Sequence, residues 1–229
     1  MVKRNKYKAI FLDIDDTVLN FPKSSEGAFK DTFKHFNLDF TEDLYKVYLE
    51  INDDLWKQQK EEKITVNDVI NTRFSILSEK LNLGVEPNLI RDHFQAGLGR
   101  QHFLEVNADL AIKELAKSYK VYAASNSELS MQENRLKLAG LYEYFTDLYI
   151  SSDIGYEKPN VNFFEESLRR AQLSPNEVLM VGDSLISDMY GAYNARIDRC
   201  WYNPYKLEKS HEVPLNYEVN DLKELFEFL

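Results

Sequence analysis

The chain has 229 residues, of which 44% are hydrophobic, and its formal net charge at pH 7 is -10. These values predict one large globular domain, or a domain with a sizeable insertion, that can bury a full hydrophobic core. The acidic charge argues against a nucleic-acid polymer as partner, because no basic stripe is present to contact its phosphates. The sequence also contains no run long enough to span a membrane and no signal-peptide pattern before Tyr7, so we expect a cytoplasmic protein that does not bind membranes.

The first predicted strand, Tyr7–Asp13, ends in clustered carboxylates. Side chains two residues apart on an extended backbone point the same way, so Asp13 and Asp15 are predicted to face one site. Two such carboxylates repel each other unless a cation or a shared proton compensates them. The neighbouring Asp16 is interpreted as a solvated loop acid.

The next segment is predicted to be entirely helical. From Ser24 to Gly99 the apolar residues recur at helical spacing, and no strand pattern interrupts them. Thr41 and Thr65 are predicted to begin helices, and Gly84 is predicted to follow the end of one. A helical block in this place is typical of a subdomain inserted after the first strand.

Beyond this block, strands alternate with helices. The predicted strands are Lys120–Ala124, Asp147–Ser151, Val178–Val181 and Arg199–Tyr202, the last of which is expected to complete the sheet. The helices are predicted at Ala108–Lys117, Glu128–Ala139, a segment ending at Ala171, Ile186–Asn194 and Asp221–Leu229. This alternation predicts an α/β fold with a doubly wound, Rossmann-like parallel sheet. The predicted core domain comprises residues 1–20 and 102–229, and the helical subdomain comprises residues 21–101.

Polar side chains follow the predicted strands of this sheet. They are Ser125 and Asn126 after the second strand, Lys158 after the third, and Asp183 and Asp188 after the fourth. Each of them alone has a structural explanation, as a helix cap, a solvated loop charge or a turn residue. Because the carboxyl ends of parallel strands meet at one edge, we expect all of them to converge with Asp13 and Asp15.

These motifs identify the chain as a member of the haloacid dehalogenase superfamily, in its phosphatase branch. The family's four motifs are matched by Asp13-x-Asp15-x-Thr17, Ser125, Lys158-Pro159 and Gly182-Asp183-x-x-x-x-Asp188. The helical insertion resembles the cap of the family's first subclass, which is expected to supply substrate specificity.

Further residue pairs resemble the bacterial house-cleaning 5′-nucleotidases, which act on pyrimidine and noncanonical nucleoside monophosphates. They are Leu55-Trp56, Ile64-Thr65, Arg73-Phe74 and Cys200-Trp201. At helical spacing, however, Trp56, Arg73 and Phe74 are interpreted as core residues rather than as base contacts. Ser127 and Arg196 depart from the pattern, because each stands where glycine is usual.

The resemblance implies a phosphomonoester hydrolase that acts through an aspartyl phosphate, with a nucleoside 5′-monophosphate as substrate. Asp13 would be the nucleophile and Asp15 the general acid and base. Lys158 would offset the charge of Asp13 and of the phosphoryl group, and Ser125 and Asn126 would donate hydrogen bonds to the phosphoryl oxygens.

Acidic residues at the same edge of the sheet are the predicted metal ligands. Asp13 and Asp183 would give the site surplus negative charge, which predicts a hard divalent cation with oxygen ligands, Mg²⁺. The resemblance adds the main-chain carbonyl of Asp15 as a ligand, and Asp188 is expected to act through water.

Several alternatives use similar residues. A phosphomutase, or a phosphatase for a sugar phosphate or phosphoglycolate, would also use Asp13 and Asp15. A dehalogenase would need neither an acid at Asp15 nor a metal. A phosphate-accepting receiver module of a signalling system also gathers acids and a lysine at a sheet edge, but it needs no large insertion.

Overall fold

The computed structural model describes residues 6–209 and 212–229. The chain divides into two compact units. One comprises the described residues up to Asn20 together with Phe103–Leu229, and the other comprises Phe21–His102. No helix in the described ranges combines the length and hydrophobicity needed to cross a bilayer. Residues 1–5, on which the expectation of no signal peptide mainly depends, lie outside the described residues.

The unit Phe21–His102 is helical. Its helices are α1 (Phe21–His35), α2 (Glu42–Lys60), α3 (Val66–Leu81) and α4 (Pro87–Leu98). The Thr41 side chain accepts the Leu44 N–H at 3.1 Å and so caps α2, while Thr65 and Asp68 form a capping box at the start of α3. Buried aromatic rings fill the interior, namely those of Phe29, Phe33, Tyr48, Phe74 and Phe94. Arg73 is buried with them, and Trp56 is partly exposed.

The other unit is built on a parallel sheet. Its strands are β1 (Ala9–Leu12), β2 (Lys120–Ser125), β3 (Asp147–Ile150), β4 (Val178–Gly182), β5 (Asp198–Tyr202) and β6 (Tyr217–Val219). Within the described residues they form one six-stranded sheet in the order β3-β2-β1-β4-β5-β6. The strand order reverses between β1 and β4, which confirms the predicted doubly wound fold and places the topological switch point at the end of β1.

Strand register brings the predicted site residues to one edge. Leu12 at the end of β1 pairs with Ala123 of β2 on one side and with Val181 of β4 on the other. The three strands end within two residues of this level, at Leu12, Ser125 and Gly182, so Asp13, Ser125 and Asp183 lie at one edge of the sheet.

Helices flank this sheet. They are α5 (Ala108–Leu115), α6 (Leu129–Leu138), α7 (Ser151–Ile154), α8 (Val161–Ala171) and α9 (Gly191–Asn194). Alternate residues of β1 belong to separate apolar clusters, Ile10 and Leu12 to one and Ala9 and Phe11 to the other. Burial on both faces explains why this strand reads as a continuous apolar run rather than an alternating one.

Some local predictions are wrong. The sheet does not end at β5, because Tyr217–Val219 adds an edge strand that is too short to give a periodic pattern. Gly84 does follow the end of α3, but that helix already ends at Leu81, where Asn82 adopts the left-handed conformation with φ 49° and forms the C-cap. The helix predicted at Ile186–Asn194 contains a π-helical segment, Leu185–Tyr190, before α9. The terminal helix is a 3₁₀ segment, Leu222–Glu227.

The glycine-to-arginine departure at position 196 has a measurable consequence. Arg196 adopts φ 60°, a left-handed conformation that a side chain disfavours. We expect Arg196→Gly to raise the free energy of unfolding by about 0.5–1 kcal/mol, since relief of strain exceeds the entropy cost of glycine. Asn194→Gly, two residues earlier in α9, is the matched control and should destabilise by about 0.5–1 kcal/mol. Urea unfolding curves measure both, and a destabilised Arg196→Gly variant would contradict the strain at this position.

Candidate active site

The buried Lys158 side chain is the centre of the site. Its ammonium group donates to Asp13 Oδ1 at 2.7 Å, to Asp188 Oδ1 at 2.5 Å and to the main-chain oxygen of Ala124 at 2.6 Å. These acceptors come from the ends of β1 and β2 and from the segment after β4. The structure therefore brings Lys158, Asp13 and Asp188 together.

Asn126 fixes the main chain of Lys158. Its Nδ2 donates to the Lys158 oxygen at 2.7 Å, and its Oδ1 accepts the Lys158 N–H at 2.8 Å. Both ends of the amide thus anchor the loop that carries the lysine, a function that the sequence did not reveal. The phosphate-binding role of Asn126 stays a prediction.

Asp188 is positioned by its own segment and by Gly182. Its Oδ2 accepts the main-chain N–H of Ser184 at 3.0 Å, while its Oδ1 bonds Lys158. A Cβ atom on Gly182 would lie only 2.3 Å from Asp188 Oδ2, so a side chain there would displace the carboxylate. Glycine before Asp183 is thus required by a close approach rather than by a turn.

Burial and charge act in opposite directions on the two central groups. Burial raises the pKa of the Asp13 carboxyl well above its usual range; the Lys158 ammonium opposes this shift, whereas Asp188 and Asp183 add to it. Burial alone would lower the pKa of Lys158, but Asp13 and Asp188 outweigh it and raise that pKa above its usual value. Lys158 therefore stays charged, and any further positive charge placed beside Asp13 would stabilise the ionised form of its carboxyl group.

The carboxylates form a set that fits a divalent cation. Asp13, Asp183 and Asp188 each offer an oxygen, and these atoms all lie within 4.8 Å of one another. The main-chain oxygen of Asp183 accepts the indole N–H of Trp201 at 2.7 Å, and this bond anchors the main chain of Asp183. Three carboxylates face one ammonium group, so the cluster has surplus negative charge, and oxygen ligands suit Mg²⁺.

Asp15 contacts two residues that the sequence analysis missed. Arg135 Nη1 donates to Asp15 Oδ1 at 2.6 Å, and Gln132 Nε2 donates to Asp15 Oδ2 at 2.7 Å. Gln132 Nε2 also lies 3.2 Å from the Ser125 hydroxyl oxygen. Both residues lie on α6 and are fully buried. The available signal was their spacing, because polar residues three apart shared a helix face with the apolar Leu136.

The remaining residues of the first loop have local roles. Asp16 adopts φ 62°, and its N–H donates to the Leu19 oxygen at 2.8 Å. Thr17 is buried, and its hydroxyl lies 3.5 Å from Asp13 Oδ2. Both contacts shape the turn that follows Asp13.

Comparison with known proteins identifies relatives over the whole chain. The haloacid dehalogenase-like hydrolase family matches residues 7–196. The HAD-hydrolase YfnB of Bacillus subtilis is 32% identical over 98% of this chain and 96% of its own length. The pyrimidine 5′-nucleotidase PynA of Streptococcus pneumoniae is 32% identical over 97% and 95%, and YjjG of Escherichia coli, also a pyrimidine 5′-nucleotidase, is 29% identical over 98% and 98%.

A solved structure supports the same relationship. The crystal structure of YfnB bound to magnesium superposes with a TM-score of 0.91 and covers 97% of this chain and 98% of that one. At 32% identity this match extends beyond a shared fold.

Replacement of the central lysine tests the electrostatics of the site. In Lys158→Met, buried Asp13 and Asp188 lose their counter-charge, and we expect a loss of about 3–5 kcal/mol in the free energy of unfolding near neutral pH in EDTA. The folded-state pKa of Asp13 already lies above its usual value, and loss of the ammonium group that opposes this shift raises it further. The variant should therefore lose less stability at about pH 5 than at about pH 8.

Urea unfolding at both pH values measures this difference. The control is Lys117→Met, which removes an exposed ion pair with Glu114 and should change stability by less than about 0.5 kcal/mol. A loss for Lys158→Met no larger than that of the control would contradict the electrostatic role of Lys158.

Proposed function

The chain belongs to the haloacid dehalogenase-like hydrolase family, and from this premise we propose that it is a Mg²⁺-dependent phosphomonoesterase that forms an aspartyl phosphate. The observation that carries the proposal is the position of Asp13, which accepts a hydrogen bond from the Lys158 ammonium group and also belongs to the carboxylate cluster. A nucleophilic carboxylate needs nearby positive charge when it attacks an anionic phosphoryl group.

Asp13 and Asp183 would hold the metal directly, and the main-chain carbonyl of Asp15 would complete the protein ligands. Both oxygens of Asp188 already accept hydrogen bonds, so this residue would act through water. Bound Mg²⁺ would neutralise charge on the phosphoryl oxygens and on Asp13. The donor set supports this choice of ion, because all of its members are oxygen atoms.

The reaction then has two steps. A carboxylate oxygen of Asp13 bonds to phosphorus as the ester P–O bond breaks, and the proton of Asp15 passes to the leaving alkoxide oxygen. In the second step a water oxygen bonds to phosphorus, the Asp13–phosphorus bond breaks and Asp15 takes the proton of the water. Lys158, Ser125 and Asn126 would bind the phosphoryl oxygens throughout.

We assign nucleoside 5′-monophosphates as the substrate class. The support is the set of relatives, since PynA and YjjG are named as pyrimidine 5′-nucleotidases and align with nearly the whole chain. A small phosphate ester is also the partner that an acidic protein can bind through a local positive centre, here Lys158 and a metal ion.

The nucleophile can be tested by trapping the intermediate. Asp13→Asn should abolish hydrolysis of p-nitrophenyl phosphate while the protein stays folded, because the amide is nearly isosteric and not nucleophilic. Asp15→Asn keeps the nucleophile but lacks the base for the second step, so phosphate should accumulate on the peptide that contains Asp13. Mass spectrometry of rapidly quenched enzyme detects this product.

The same assay tests the metal. Removal of Mg²⁺ with EDTA should stop turnover, and added Mg²⁺ should restore it. Full turnover by Asp13→Asn or by the chelated enzyme would overturn the proposed mechanism.

A substrate panel tests the substrate class. Pyrimidine nucleoside 5′-monophosphates should have higher kcat/KM than hexose phosphates, phosphoglycolate or phosphoserine. Recognition of one base contributes about 1–3 kcal/mol, so we expect a preference of roughly ten- to a few hundred-fold. The matched control is the 3′-monophosphate of the same nucleoside, which offers the same base on a different ester. If a hexose phosphate or phosphoglycolate surpassed every nucleotide, the assignment to nucleotides would be wrong, and the phosphatase chemistry would be unaffected.

A further inference from the structure

We infer that Gln132 and Arg135 are positioning residues, which hold Asp15 in the orientation required for proton transfer and orient the Ser125 hydroxyl; this inference rests on the proposed phosphatase function. The three contacts that define the arrangement are Arg135 Nη1 to Asp15 Oδ1 at 2.6 Å, Gln132 Nε2 to Asp15 Oδ2 at 2.7 Å and Gln132 Nε2 to Ser125 Oγ at 3.2 Å. We call Gln132 and Arg135 the α6 clamp.

The α6 clamp grips both oxygens of one carboxyl group. A carboxyl group held at a single oxygen can rotate, whereas bonds to both oxygens fix the plane and the side-chain rotamer. Each oxygen has two lone-pair positions, so these bonds leave room for a proton and for a contact with a reacting oxygen. The Asp15 side chain remains 30% exposed, although Arg135 is fully buried. The acid is thus held from the protein interior and open on its other side.

The orientation of the Gln132 amide follows from its neighbours. Arg135 Nη1 lies 3.2 Å from Gln132 Oε1, and a guanidinium group can only donate. The oxygen of the amide must therefore face Arg135, and its NH₂ group must face Asp15 and Ser125. With the two hydrogens of Nε2 directed to these two acceptors, the Ser125 proton is directed away from Gln132. That proton is then available to an anionic oxygen in the site.

Packing alone gives little reason for this arrangement. A buried arginine costs free energy unless it is paired, and apolar residues of similar volume often replace buried ion pairs without loss of stability. The partner of Arg135 is an acid at the reaction site, on a loop far away in sequence. Residues three apart on a helix share a face, so one rigid element carries both members of the clamp.

The test compares two substrates that differ in the proton demand of the leaving group. p-Nitrophenolate leaves without protonation, whereas the phenolate of phenyl phosphate benefits from an acid. We expect Gln132→Met and Arg135→Lys to lower kcat/KM for phenyl phosphate at least ~10-fold more than for p-nitrophenyl phosphate, within the ~10²–10⁴-fold that general acid catalysis contributes. Arg135→Met should have a larger effect than Arg135→Lys, because lysine keeps the charge.

A double-mutant cycle separates positioning from folding. In an Asp15→Asn background no acid remains to be positioned, so Gln132→Met should change the ratio of the two kcat/KM values by less than ~2-fold. Lys137→Met, which removes an exposed ion pair with Glu133 on the same helix, and Asp16→Asn are the controls that should leave the ratio unchanged. Circular dichroism melting confirms that each variant is folded, and if Arg135→Met does not fold, Gln132→Met and Arg135→Lys carry the test.

The outcomes are distinct. Equal losses on both substrates, or an undiminished effect of Gln132→Met in the Asp15→Asn background, would show a purely structural clamp and overturn the inference while the phosphatase assignment stands. Turnover that survives in Asp13→Asn would overturn the proposed function, and the inference would fall with it. A loss confined to the poor leaving group, absent from the Asp15→Asn background, would support positioning by α6.

Discussion

The ammonium group of Lys158, bonded to Asp13 and Asp188, is the interaction on which the site depends. Without it, two carboxylates would lie buried without a counter-charge, and neither could remain ionised at reasonable cost in free energy. The same nitrogen bonds the main chain near the end of β2, so one side chain joins the ends of β1 and β2 to the segment that follows β4. The single positive charge of Lys158 does not balance the cluster, because Asp183 adds a third carboxylate to it. That deficit explains why a cation-assisted reaction suits this arrangement.

The sheet topology makes such a concentration of charge possible. β1 lies between β2 and β4, and the chain leaves β1 at the point where the strand order reverses, which opens a crevice at the carboxyl edge. Both faces of β1 are buried in apolar clusters, so polar side chains are accommodated at the end of this strand, where Asp13 and Asp15 lie. Burial of the strand and polarity at its end are thus two results of one architecture.

The sequence predicted the parts of the site that depend on local pattern. Asp13, Ser125, Lys158 and Asp183 could be proposed as neighbours because each lies at the end of a predicted strand or in the segment after one, and parallel strands share an edge. The spacing of Gln132 and Arg135 was visible in the sequence, but their contact with Asp15 could not be predicted, because Arg135 lies 120 positions from Asp15 and the contact depends on how the helix packs. The requirement for glycine at position 182 depends on a side chain six residues later, and the edge strand β6 was too short to give a pattern. Long-range packing, rather than propensity, decides all of these features.

Two chemically identical acids, separated by one residue, have distinct environments. Asp13 is buried against a lysine and other carboxylates, a setting suited to a group that forms a bond to an anionic centre. Asp15 is partly exposed and is gripped by neutral and cationic donors from a helix, a setting suited to a group that exchanges protons with a reacting oxygen. Gln132 joins this second environment to Ser125, so one amide contacts both the proposed acid and the hydroxyl that we propose binds phosphate. The different roles that we propose for the two aspartates therefore follow from the elements that surround them and not from their side chains.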